Sequence, residues 1–196
     1  MLRIFLAIQL VCAALLLATC ERINMHDLAK YGLPPQSAIY LFPLHSQAGN
    51  LGDRNSMDIM CYQEGLAYHT LVNASTVKAF LSFSVIDELR FLVPIQYWYF
   101  PVIGISPTLT VTTIASSWIE LLSGASPPIN PINTSVGIAV SFWTGSNADG
   151  SISNDFTCSG WNDSTGTFNG RFGQTIIDNG SVACNDITPY ILCIAY

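Results

Sequence analysis

Four cysteines in the later part of the chain, Cys61, Cys158, Cys184 and Cys193, constrain what this sequence can fold into more than any other feature. An even set that reaches an oxidising compartment closes two bridges, and four cysteines allow three pairings. Whether that compartment is reached is decided at the other end of the chain. Arg3 is followed by an apolar run from Ile4 to Ala18, the charged start and hydrophobic middle of an export signal, predicted here over residues 1–19. The run is too short and too early for a spanning helix of roughly 20 residues, and it lacks the amphipathic period of a helix laid on a core. Cys12 leaves with it.

Leu17-Ala18-Thr19-Cys20 has the layout of a lipobox, in which the signal is cut before a cysteine whose thiol carries a diacylglycerol. Thr19 stands where that pattern has Gly, Ala or Ser, so ordinary cleavage just after Cys20 is the alternative. The cysteine count favours lipid: with the other four pairing among themselves, Cys20 is the odd thiol of an exported chain. Lipid chains hold a protein on a membrane at about 0.8 kcal/mol per buried methylene. The expected organisation is therefore a signal peptide over 1–19, a lipid-anchored tether over 20–37 with Cys20 as the lipidation site, and one domain over 38–196.

Seven Lys and Arg stand against thirteen Asp and Glu. Removing Arg3 with the leader leaves six against thirteen, a balance of −7. The cations are scattered, so no basic face is available for nucleic acid, heparin-like polyanions or anionic lipid.

Along the domain, Ala38-Ile39-Tyr40-Leu41-Phe42 reads as a buried strand stopped by Pro43, and Val77 to Leu81 as a short one. Ser56 to Gly65 reads as a helix with Ser56 as its cap and Cys61 on the inward stripe. Ser117-Trp118-Ile119-Glu120 fits a capping box and Gly124 a left-handed stop, which defines a second short helix. Pro94 to Thr113 suits an edge hairpin or an exposed loop. Short strands and polar loops follow, ending in Tyr190 to Ile194. Two short helices among mixed, mostly antiparallel strands make an α+β domain.

The segments around the cysteines resemble a known family. Phe142-Trp143-Thr144-Gly145-Ser146-Asn147-Ala148-Asp149-Gly150, then Cys158-Ser159-Gly160-Trp161, then Cys184 ahead of Pro189-Tyr190-Ile191-Leu192-Cys193-Ile194, are similar to the C-terminal half of endostatin and of bacterial endostatin-like lipoproteins. Ile39 to Phe42, Gly49 to Gly52, Asp58 to Cys61, Lys78 to Ser82 and Trp118 to Gly124 fall in the same order as in that family. The chain most resembles the leptospiral endostatin-like surface lipoproteins. The resemblance implies a C-type-lectin-like fold with nested bridges, Cys61 to Cys193 and Cys158 to Cys184. It also implies a surface-exposed lipoprotein of the bacterial outer membrane, acting as an adhesin for host extracellular matrix such as laminin or for complement regulators such as factor H. The clustered arginines and N-terminal histidine set of endostatin have no counterpart here, so neither heparin nor zinc is carried over.

Other motifs are weaker. Trp161-Asn162-Asp163 spells a lectin calcium tripeptide but lies after Cys158 without a Glu-Pro-Asn partner; a calcium-dependent lectin is the alternative function, with Trp161 read as a core anchor. An envelope structural lipoprotein without a host ligand is the third. Gly145 to Phe156 has EF-hand-like spacing but fails at both end ligands. His26, His45 and His69 stand in no nucleophile–base pattern, and Asp87-Glu88 are adjacent and point apart, so no enzyme, cofactor or metal is expected. Tyr97-Trp98-Tyr99-Phe100 is the candidate partner contact, since aromatics anchor interfaces at low entropic cost; burial of alternate members in the core is the competing reading.

Overall fold

Tyr190-Ile191-Leu192-Cys193-Ile194-Ala195 is apolar throughout, a pattern suited to a strand covered on both faces. A computed structural model of the chain, describing residues 38–68, 72, 74–124 and 127–196, places it so. The signal at 1–19, Cys20 and the tether at 20–37 lie outside the described residues, as do His26 and His69. Residues Gln36–Tyr196 form one compact unit.

The strands are β1 (Ile39–Ser46), β2 (Val77–Ala79), β3 (Val102–Ile105), β4 (Val111–Ala115), β5 (Phe142–Trp143), β6 (Asn169–Gly173), β7 (Gly180–Ala183) and β8 (Tyr190–Ala195). They form one sheet in the order β4-β3-β1-β8-β5-β6-β7, with β2 also paired to β8. β1–β3 and β5–β8 are parallel and the other pairs antiparallel. The helices are α1 (Arg54–Gly65), α2 (Trp118–Ser123), and two single turns, α3 (Ile132–Ser135) and α4 (Cys158–Trp161). The domain is thus α+β, with two more helical turns than the sequence pattern predicts.

Side chains alternate along β8 and sort into two cores. Leu192, Ile194 and Tyr196 join Ile39, Leu41, Phe80 and Trp118 on one face. Ile191, Cys193 and Ala195 join Phe42, Met57, Trp143 and Trp161 on the other. Cys61 bridges Cys193 across 132 residues, tying α1 to β8, and Cys158 bridges Cys184 across 26.

Pro43 does not stop β1, contrary to the sequence expectation. It faces Leu192, whose carbonyl accepts from Phe80 N–H at 2.8 Å on the β2 side of β8. The Pro43–Leu192 pair therefore needs no N–H from residue 43, and β3 already stops pairing with β1 at Leu41. The strand continues, with a register shift between Pro43 and Ser46.

The first helix is capped by Asp53 rather than Ser56. The Asp53 carboxylate accepts from Ser56 N–H at 2.7 Å, and these bonds hold its pKa below the ordinary value. The second follows its sequence signals: Ser117 Oγ accepts from Glu120 N–H at 3.1 Å, Glu120 reaches back to Ser116, and Gly124 takes φ +60°. Of the edge hairpin and exposed loop open for 94–113, the hairpin forms: β3 and β4 pair at the edge of the sheet, with β4 running on to Ala115.

The Cys158–Trp161 turn is left-handed. Cys158, Ser159, Gly160 and Trp161 have φ of 49°, 56°, 68° and 63°. Non-glycine residues pay roughly 1–2 kcal/mol each for this conformation. The fully buried Trp161, whose indole N–H donates to Ser82 O at 2.8 Å, and the Cys158–Cys184 bridge hold the turn in place. Gly170 leaves room for the bridge and for Trp143, which packs edge-on against Trp161: a Cβ there would lie 2.5 Å from the Trp143 ring and 2.8 Å from Cys158 Sγ.

Candidate functional site: exposed apolar surfaces

Among the described residues no three His, Cys, Asp or Glu side chains are grouped to hold a metal. His45 is exposed and bonded to Gln47. Asp87 and Glu88 do point apart: Asp87 takes a two-pronged contact from Arg54, while the buried Glu88 accepts from Arg90 and from Ile152 N–H. In the calcium-like tripeptide, Trp161 is core and Asp163 accepts from Thr165. In the EF-hand-like stretch Asp149 accepts from Ser151, whose bonds, with Arg90 nearby, hold the Asp149 pKa below its ordinary value.

The aromatic run Tyr97-Trp98-Tyr99-Phe100 does not form one continuous contact face. Tyr97, Trp98 and Phe100 are half-buried against the Leu192 core. Tyr97 packs on Phe100 and Tyr196, and Trp98 Nε1–H donates to Val93 O at 2.9 Å. Tyr99 alone points outward, 78% exposed. The cause is the 3-10 turn Ile95–Tyr97, which breaks the alternation that a strand would have given the run.

Two apolar surfaces take its place. One lies along α1. Met57 and Cys61 face inward, while Ile59, Tyr62 and Leu66, spaced i, i+3, i+7, line the outer side and are about half exposed or more. Two residues along a helix turn roughly 200°, so Met57 and Ile59 necessarily face opposite ways. That second stripe was legible in the sequence, hidden only because an inward stripe was already accounted for. The other surface comprises Phe91 and Ile119, both exposed at a groove beside α2, with Ile95 and Tyr99 exposed on the neighbouring segment that is hydrogen-bonded to the start of α2. No periodicity in the sequence announces it, because its members come from the 3-10 turns Leu89–Phe91 and Ile95–Tyr97, the turn after the second, and α2.

A polar clamp joins α1 to β2. Asp58 accepts from Ala79 N–H at 2.8 Å, and Arg54 donates to Ala79 O at 2.7 Å, so one turn of α1 binds both backbone groups of β2's last residue. Arg54 also donates to Leu81 O at 2.5 Å and lies over the Phe83 ring, 4.4 Å from its centroid.

Four asparagines stand in Asn-X-Ser/Thr triplets, the acceptor pattern for N-linked sugar: Asn162 and Asn179 are exposed, Asn133 is buried, and Asn73 lies outside the described residues. No helix among the described residues is long and apolar enough to cross a membrane. In comparison with known proteins, no protein-family model matches the chain, and no curated protein matches it significantly.

Proposed function

We propose that the chain is an endostatin-like, C-type-lectin-like binding module, anchored through a lipid on Cys20 and displayed at a bacterial surface. There it engages host extracellular matrix proteins such as laminin, or complement regulators such as factor H. The order of the cysteine-bearing motifs and the Cys61–Cys193 and Cys158–Cys184 bridges support the family assignment. The observation that carries a binding role is the outer stripe of α1, where Ile59 and Tyr62 stand 49% and 60% exposed on a helix whose other side is already buried. Exposed aromatic and aliphatic side chains on a rigid, disulfide-tied element are what interface anchors require.

The test is saturable binding of the chain from residue 20 onward to immobilised laminin and to factor H. The Ile59→Ser/Tyr62→Ser double variant should weaken it by about ten-fold or more, the cost of losing one interface anchor. No saturable signal with either protein overturns the reading. Calcium-dependent sugar binding in a parallel titration would instead place the chain among lectins.

A further inference from the structure

α1 packs on the Cys193 side of the sheet, and the second apolar surface belongs to the Leu192 side. There Phe91, Trp98, Trp118, Ile119 and Leu122 wall a shallow groove of about 240 Å³. Trp118 N–H donates to Phe100 O at 3.1 Å and Ile119 N–H to Trp98 O at 3.2 Å, which fixes the start of α2 against the 95–100 segment. Phe91, Ile95 and Tyr99 stand out from this platform, 57%, 69% and 78% exposed.

We propose that this patch rests on the lipid surface to which Cys20 tethers the domain, an assignment that builds on the anchoring reading above. The first support is where the described domain begins. Ile39 N–H donates to Pro101 O at 2.9 Å, so residue 38, through which the anchor segment joins the fold, lies beside the segment carrying Trp98 and Tyr99. The residues from Cys20 to 37 reach at most ~60 Å even fully extended, which keeps the whole domain, and the patch with it, near the membrane at a high local concentration.

Charge names the kind of lipid. Arg90, the cation at the groove, lies 4.9 Å over the Phe91 ring, bonds Glu88 at 2.5 Å and has Asp149 within 4.0 Å. With two carboxylates beside one guanidinium, the rim offers no positive potential to anionic headgroups, and the surface fits zwitterionic or uncharged ones. The side chains suit that depth: Tyr99, with an apolar body and a polar tip, favours the headgroup boundary, and Ile95 and Phe91 add apolar area. The α1 stripe, on the opposite side of the sheet, is then left facing outward for a protein partner.

The experiment holds the chain from residue 20 onward, carrying an N-terminal hexahistidine, on phosphatidylcholine vesicles doped with a nickel-chelating lipid. The readout therefore does not depend on acylation of Cys20, which mass spectrometry of the native N-terminus tests separately. Hydrogen exchange is compared with that of the same protein free in solution. Amides of 89–99 and 117–123 should slow by about ten-fold, as nine molecules in ten resting patch-down would give, while those of α1 stay unchanged. The Phe91→Ser/Ile95→Ser/Tyr99→Ser variant, altered only at exposed positions, should exchange at the free rate with an unchanged Tm. Solution-rate exchange of the tethered native chain overturns the proposal. So does protection of 89–99 that appears only when laminin or factor H is added, which would make the patch a protein contact.

Discussion

Arg54 offers the sharpest test of how this fold is held. Its guanidinium places Nε 2.8 Å and Nη2 3.0 Å from the two Asp87 oxygens, while Nη1 and Nη2 donate to Ala79 O and Leu81 O. Asp58, 3.4 Å away, contributes little directly. Replacing Arg54 by Met keeps the aliphatic packing but strips both carbonyls of a charged donor, at roughly 1 kcal/mol each since water replaces part of the loss. The Asp87 side chain is 31% exposed, so that pair is discounted to about 1 kcal/mol. Loss of the contact over Phe83 adds ~0.5–1 kcal/mol. The expected cost is ~3–4 kcal/mol, a large share of the ~5–15 kcal/mol that stabilises a typical domain. Lysine keeps the charge without the planar fork and should recover only about half. Urea unfolding followed by circular dichroism, with unchanged slope and a shifted midpoint, measures both variants. If Arg54→Lys matches wild type, or Arg54→Met costs under ~1 kcal/mol, the clamp is not what secures β2.

Three further outcomes follow from the geometry. Replacing Cys61 and Cys193 together by serine should cost ~5 kcal/mol and the Cys158/Cys184 pair ~3.5 kcal/mol by loop entropy; thermal melts giving the reverse order would refute that account. Ser159→Gly should raise stability by ~0.5–1 kcal/mol, because an exposed left-handed residue loses its strain at the expense of some chain entropy, and a lowered Tm would show the turn to be unstrained. Tyr196, whose hydroxyl donates to Leu92 O at 2.6 Å, has its pKa raised above 10.0 by burial first, and then by Asp58 and Tyr97. A raised folded value means stability is intact below pH 10 and lost as pH climbs through the folded pKa. Tyr196→Phe should therefore cost about 1–2 kcal/mol at neutral pH but less as the pH rises above 10.0, and parallel midpoint curves for the two proteins would refute the assignment.

The sequence by itself determined the parts whose cause is local. The cap and stop of α2 are fixed by Ser117, Glu120 and Gly124, residues within one or two turns of each other, and the inward place of Cys61 follows from helical spacing. The buried character of β8 follows from its unbroken apolar run. Residues far apart in the chain decided the rest. Whether Pro43 breaks β1 depends on which edge of β8 Leu192 turns toward β2. Both Asp53 and Ser56 are competent caps, and only the path of the chain into α1 selects Asp53. The left-handed Cys158–Trp161 turn opposes local preference and persists through a bridge to Cys184 and burial under Ser82. The aromatic run at 97–100 shows the limit most clearly: composition says that four rings are present, but the turn at its start and the packing of Tyr196 decide that three lie half-buried against the core and only Tyr99 is largely exposed. Burial is a property of what lies opposite, and what lies opposite β8, α1 and this run is set by the sheet order, which local sequence does not encode.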